Sequence, residues 1–175
     1  YTGTIKKYNS GKLFISDPKE YMVRAAMRVQ SIQALIVKRS VIIDNDLMMV
    51  EGAAGQDTMF FQELVLNCSS IQGIDKFIHV YYAAVSGSVT NTVSKTFFDK
   101  YYVLELERIP FLKKYGLLEV YLEERLSFYV RKWYMPRLER VKDQDKREAV
   151  LRFLDIIELY EQFNPKYEIE DQNYL

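Results

Sequence analysis

The sequence predicts an α/β chain rich in helix, and three observations carry that expectation. Up to about residue 94, short strand-like runs alternate with stretches of helical periodicity, separated by Gly, Ser and Asn turns. From residue 95 onward the chain is aromatic, charged and almost without glycine, and it reads as helices only. With 49% apolar residues over 175 positions, there is enough material to bury a core. The change in character divides the chain into an α/β part, 1–94, and a helical extension, 95–175.

In the first part, 4–8 and 12–15 read as short strands around the turn Asn9-Ser10-Gly11. A helix start follows: Asp17 as N-cap, Pro18 at the first helical position and Glu20 at the third. The apolar spacing of Met22, Val23, Ala26 and Met27 extends that helix to about residue 30. The run 34–37 suits a buried strand, 41–44 a brief helix, 56–69 a longer helix and 76–83 a further strand; 82–91 is a polar loop.

In the second part, a helix over 95–108 is expected to end before Pro110. A second, over 117–134, is expected to be interrupted at Pro136. A third, over 144–163, has Asp143 as its cap and Asn164-Pro165 as its stop.

Charge narrows the partners. Lys plus Arg and Asp plus Glu number 24 each, so the global basic field of a nucleic-acid binder is missing, and no nucleic acid is expected. The single cysteine, Cys68, reads as a small buried hydrophobe in a reducing compartment. No run of eighteen apolar residues and no signal-peptide pattern occurs, which gives the expectation of a soluble, cytoplasmic protein. The chain opens on Tyr1 without an initiator methionine, which suggests a piece of a longer protein.

The stretch Glu51 to Leu64 organises the rest. Gly52, Ala53, Ala54 and Gly55 form a small-residue loop that delivers Gln56 and Asp57 to the start of a helix, whose apolar positions are Met59, Phe60, Leu64 and Leu66. Small residues let a substrate approach closely, and a carboxylate is favoured at a helix N-terminus. The same arrangement serves equally as a plain helix cap.

Taken with its neighbours, this stretch resembles family 2 glycosyltransferases of the GT-A fold. The resemblance rests on the order ALIVKR (34–39), a short helix, EGAAGQDTMFFQELV (51–65) and IDKFIHVYYAAVSGSVTN (74–91). In that family a loop ending in an acidic dipeptide opens a helix with an aromatic residue shortly after, and a tyrosine-rich strand and a serine-bearing loop follow. Gln56-Asp57 stands at the dipeptide, Phe60 at the aromatic, Tyr81-Tyr82 at the tyrosines and Ser88 at the serine. The resemblance covers 34–91; the helices beyond match only as a C-terminal addition.

The resemblance implies the second, acceptor-side half of a GT-A domain followed by a helical subdomain. It implies inverting transfer of a sugar from a nucleotide-diphosphate donor to a hydroxyl of a glycan, protein or lipid-linked acceptor, with Asp57 as the general base. Ala54, Gly55 and Gln56 would line the substrate; Lys38 and Arg39 would either meet the diphosphate or serve as plain surface charges flanking a helix, and Ser88, Thr90 and Asn91 would either bind phosphate from a closing loop or form a solvated polar turn. It also implies a divalent cofactor, Mn or Mg, in the full-length enzyme, and a place at the inner face of the membrane.

Two departures stand out. Gln56 replaces the usual glutamate, and no Asp-x-Asp metal motif or nucleotide-binding strand precedes residue 34. Asp44-Asn45-Asp46 has the motif's spacing but follows a short helix where the family has a surface turn. His79, the sole histidine, holds a place where some relatives bind metal, yet a lone strand histidine is ordinarily packed or solvated. No convincing metal-ligand set emerges, and these 175 residues alone are expected to be inactive.

The alternative is a non-catalytic helical module for interaction or oligomerisation. Tyr129, Arg131, Lys132, Trp133, Tyr134 and Arg137 make a basic-aromatic series suited to peripheral membrane contact or a partner. Core packing is the simpler role for Trp133. Long apolar helices that one chain cannot bury favour a homo-oligomer. Hydrolase and phosphoryl-transfer chemistry lack their motifs: no Gly-x-Ser-x-Gly, P-loop or Cys/His metal spacing occurs.

Overall fold

A computed structural model describes residues 2–29, 32–77, 80 and 93–163. The chain divides into two compact units, Tyr1–Thr92 and Val93–Leu175. It is rich in helix, and among the described residues the only sheet is one antiparallel pair of short strands.

The first unit runs α1 (Thr2–Tyr8), β1 (Phe14–Ile15), α2 (Pro18–Arg24), a 3-10 turn (Ile32–Ala34), α3 (Arg39–Ile43), α4 (Gln56–Leu66) and β2 (Ile71–Gln72). In the sheet, Phe14 faces Gln72 and Ile15 faces Ile71. Asn9 shapes the turn after α1. Its amide donates to the Lys12 and Phe14 carbonyls at 3.1 and 2.7 Å, and its Oδ1 accepts from Arg24 at 3.2 Å.

The start of α2 is the one the sequence predicts. Asp17 is extended, its carboxylate accepts from the Glu20 N–H at 2.8 Å, and Pro18 opens the helix. The end is not. The helix stops at Arg24 instead of near residue 30, because Ala26 and Met27 both turn left-handed, at φ 46° and 53°. The Met27 N–H closes the turn onto the Met22 carbonyl at 2.8 Å. Ala25, Ala26 and Met27 are all buried, so the turn hides the apolar residues that a longer helix would have carried. From α4, the Gln62 amide donates to the Met27 carbonyl at 2.9 Å and ties the turn down.

Other expectations for this unit need correction. Residues 4–8 are helical: with only Ile5 buried, so short a segment cannot fix its period. Only Phe14 and Ile15 of 12–15 are in a strand. The run 34–37 is no strand; Ala34 ends the 3-10 turn, and residues 35–38 carry on outside any sheet, with Ile36 92% exposed. A strand apolar on both faces needs neighbours on both sides, and none is described there. The helix predicted for 41–44 covers Arg39–Ile43, and the one predicted for 56–69 ends at Leu66. Lys76 and Phe77 are not in a strand, and most of the remainder of 76–83 lies outside the described residues.

The second unit runs α5 (Lys95–Tyr115), α6 (Leu118–Tyr121), a π turn (Leu122–Leu126), α7 (Ser127–Tyr129), a second π turn (Val130–Tyr134), α8 (Met135–Glu139) and α9 (Asp143–Glu161). Contrary to expectation, α5 passes through Pro110. Pro110 lies on the exposed face, where water can hydrate the carbonyl its missing N–H leaves unpaired. The helix instead stops at Gly116, left-handed at φ 65°. There the N–H groups of Gly116 and Leu117 bond to the carbonyls of Lys113 and Leu112, and Leu117 and Leu112 are buried at the closure. The expected break at Pro136 is also absent: it sits in the first turn of α8, directly after a π turn. Asp143 is the first residue of α9, not its cap; Lys142 holds the cap position, and Asp143 and Asp145 favour the positive end of the helix dipole.

The two π turns have a geometric effect. At about 100° per residue, an unbroken α-helix would place Tyr134 well over a quarter-turn from Tyr121 and Tyr129. Each π turn absorbs about one extra residue. All three tyrosines are then buried together, with ring centroids 6.1 Å apart for Tyr121 and Tyr129 and 6.4 Å for Tyr129 and Tyr134.

These rings enclose a charge. Glu105 and Arg108 of α5 are each 1% exposed, and their ion pair measures 2.9 Å. The Tyr134 hydroxyl donates to Glu105 Oε1 at 2.8 Å, and the Tyr160 hydroxyl to Oε2 at 2.5 Å. The Arg108 guanidinium lies 5.4 Å from the Tyr121 ring centre and 5.5 Å from that of Tyr129. Burial alone would push the Arg108 pKa down; the Glu105 charge overrides it and holds Arg108 well above its ordinary value. Helices α5 and α9 run parallel, with Asp99 beside Arg152, Glu105 beside Tyr160 and Lys113 over Phe163.

Glu105→Ala is expected to destabilise the second unit by about 3–5 kcal/mol, because it strands a buried guanidinium. The double variant Glu105→Leu/Arg108→Met should cost much less than the two single changes together. Urea unfolding followed by the fluorescence of Trp133, the sole tryptophan, measures both.

Burial pushes the Tyr101 hydroxyl up to about 12, and raises those of Tyr121, Tyr134 and Tyr160, which the Glu105 charge raises further. An unfolded tyrosine titrates near pH ~10, so the folded state holds these protons more tightly. The resulting stability is fully present below about pH 10 and is lost as pH climbs through the folded values. Urea midpoints read by Trp133 should therefore stay flat with respect to these groups up to about pH 9 and fall above about pH 10.

Candidate functional site

The loop into α4 is built on two left-handed glycines, Gly52 at φ 74° and Gly55 at φ 71°. The Ala53 N–H bonds back to the Val50 carbonyl at 3.3 Å, and the Thr58 N–H bonds to Gly55 at 3.0 Å. Gly55 is the N-cap and has no side chain to offer; Gln56 opens the helix, and Asp57 occupies its first turn. Asp57 is exposed, while Ala54, Gly55 and Gln56 are half-buried around it. The cap position thus belongs to Gly55, and the Asp57 carboxylate faces solvent beside the positive end of an 11-residue helix.

Below this turn, α4 is anchored firmly. Met59, Phe61, Leu64 and Val65 are buried, and Gln62 is fully buried with its amide on Met27. Phe60 and Leu66, expected on the buried face, are only half-buried. Gln62 Oε1 has no hydrogen-bond partner among the described residues. Sequence reasoning missed Gln62, although a polar residue between Phe61 and Leu64 on the apolar stripe is a signal for it.

Beside α4 lies an open cleft of about 700 Å³. One wall is the segment 34–38, another is Phe61, Leu64, Val65 and Cys68 of α4 and the turn after it, and a third is 71–77. Most of the lining is apolar, and Lys38 is on its rim, exposed. Cys68, expected to be buried, is half-exposed here, and partial burial raises its pKa. Asp57 is not among the residues that line the cleft.

The structure therefore brings Ala54, Gly55, Gln56 and Asp57 together and puts Lys38 on the cleft. Arg39 is exposed as the first residue of α3. Ser88, Thr90, Asn91, His79, Tyr81 and Tyr82 lie outside the described residues. Asp44, Asn45 and Asp46 form an exposed turn, where the Asn45 amide donates to the Val41 carbonyl at 2.9 Å and Asp46 is left-handed at φ 49°. Among the described residues, no group of three or more His, Cys, Asp or Glu is placed to hold a metal ion. No helix among them is long and apolar enough to cross a membrane. No protein-family model, curated protein or solved structure matches the chain.

Gly55→Ala should cost the first unit roughly 1–2 kcal/mol, because an L side chain resists the left-handed backbone. Gly55→Asn should cost less. Thermal unfolding by far-UV circular dichroism would rank the three proteins.

Proposed function

We propose that the first unit is the acceptor-side part of an inverting, GT-A-type glycosyltransferase, with Asp57 as the general base. The observation that carries this reading is the presentation of Asp57. Its carboxylate is exposed in the first turn of a well-anchored helix, after a small-residue loop that leaves the cap to a glycine. A base needs an open approach for the acceptor and a rigid mount, and both are supplied here.

In the proposed reaction the acceptor hydroxyl oxygen forms a bond to the anomeric carbon as the bond from that carbon to the donor's phosphate oxygen breaks. The acceptor proton passes to Asp57, and the nucleoside diphosphate leaves with the electron pair. Ala54 and Gly55 let the acceptor come close, Gln56 flanks it without adding charge, and Lys38 and Arg39 attract the diphosphate. A divalent metal would neutralise the departing phosphates, but the described residues do not fit one.

The exposed Ile36 and the apolar cleft beside it agree with a domain completed by further polypeptide that binds the donor. On this reading the 175 residues alone transfer no sugar.

The test replaces Asp57 by Asn in a protein that carries the donor-binding half as well. Transfer to acceptor should fall by at least about a thousandfold, consistent with loss of general-base catalysis and of the charge that supports it. Donor binding by calorimetry and the melting temperature should change little. A variant that retains transfer would remove Asp57 from the role of base.

A further inference from the structure

Helix α9 carries an exposed stripe whose chemistry complements its own reverse. At alternating spacings of three and four residues it presents Gln144, Arg147, Leu151, Leu154, Glu158 and Glu161, and all six are exposed. The two leucines at its centre are 53% and 52% exposed. The opposite face, with Ala149, Ile156 and Tyr160, is fully buried in the second unit. The outer stripe is therefore not the core face of the helix, and its apolar centre has no covering among the described residues.

We propose that this stripe is a homodimer contact, in which α9 of one copy packs antiparallel against α9 of a second. A two-fold axis through the midpoint between Leu151 and Leu154 sets Leu151 against Leu154 of the second copy, and Leu154 against its Leu151. The same operation sets Arg147 against Glu158 and Glu158 against Arg147, and lays each Gln144 beside a Glu161. The basic end of the stripe meets the acidic end at both edges, as a contact in which both copies use one patch requires. A parallel pairing would instead bring Arg147 onto Arg147 and Glu158 onto Glu158.

The flanks have opposite effects. Val150 and Ile157, both half-buried, widen the apolar strip on one side. On the other, Glu148 approaches Asp155 of the second copy, and Arg152, which bonds to Asp155 at 2.9 Å, moderates that repulsion. With 19 residues, α9 spans about 28 Å, so one helix pair makes an interface at the small end of specific contacts. The expected association is correspondingly modest, with a dissociation constant on the order of micromolar.

Sedimentation velocity of the 175-residue protein from about 1 to 200 µM should show a monomer passing to a dimer as concentration rises. Leu151→Glu/Leu154→Glu should stay monomeric throughout. Arg147→Glu and Glu158→Arg, each placing like charges at both edges, should weaken association by roughly tenfold or more. The combined Arg147→Glu/Glu158→Arg variant should recover it, since the reversed stripe is again self-complementary. All these positions face solvent, and far-UV circular dichroism verifies that each variant remains helical. The inference is overturned by a wild-type monomer at every concentration, whether or not that monomer takes up lipid vesicles or another protein. A dimer indifferent to the leucine changes, or a double reversal no better than the single ones, overturns it equally.

Discussion

One carboxylate holds the second unit in register. Glu105 is buried inside a helical subdomain, where an unpaired charge would shift its ionisation or unfold its surroundings. It persists because its two oxygens gather partners from elements far apart in sequence: Arg108 one turn along α5, Tyr134 at the end of a π turn and Tyr160 near the end of α9. Apolar packing would accept several rotations of α9 against α5. The hydrogen bonds to Glu105 accept one, because a slipped helix would leave a buried carboxylate with an empty lone pair. The cluster contributes less to net stability than to the selection of a single arrangement.

The first unit is organised on a different economy. Its described core is modest, its sheet is two residues wide, and its tightest region is the junction of α2 and α4 around Met27 and Gln62. That junction holds the helix whose first turn displays Asp57. A rigid support under a small-residue loop suits a group that must hold a fixed position while its surroundings change. On the proposed reading, the apolar cleft beside α4 is where additional chain would settle.

Local signals in the sequence were legible wherever the responsible residues are neighbours in the chain. The Asp17-Pro18 helix start and the bend at Gly55 both depend on a few adjacent residues and their backbone preferences. Features set by distant partners were hidden. Pro110 and Pro136 announce breaks that exposure and a π turn make unnecessary. The apolar run at 34–37 looks like a strand, but becomes one only with neighbouring strands to pair with. At the candidate site, the order of Ala54, Gly55, Gln56 and Asp57 was readable, whereas the buried anchor Gln62 and its bond to a carbonyl 35 positions away were not. The Glu105–Arg108 pair left only a faint trace, two charges at helical spacing among positions otherwise apolar.

The π turns also bear on how this subdomain can change length. Each holds about one residue more than an α-helical turn needs, so a single deletion within 122–126 or 130–134 could close locally into ordinary helix without breaking the backbone ladder. Everything beyond the deletion would then keep its rotation relative to what precedes it, because the π turn had already absorbed the extra residue. A deletion in the α-helical turn between the two π turns, Ser127–Tyr129, would by contrast rotate everything beyond it by about 100° and swing Tyr134 off the Glu105 carboxylate while the helix itself stayed intact. Circular dichroism would register almost nothing, yet the buried acid would have lost a partner. In this stretch, length is constrained by the phase of the helix more than by its continuity, and the π turns are the places where a single deletion keeps that phase.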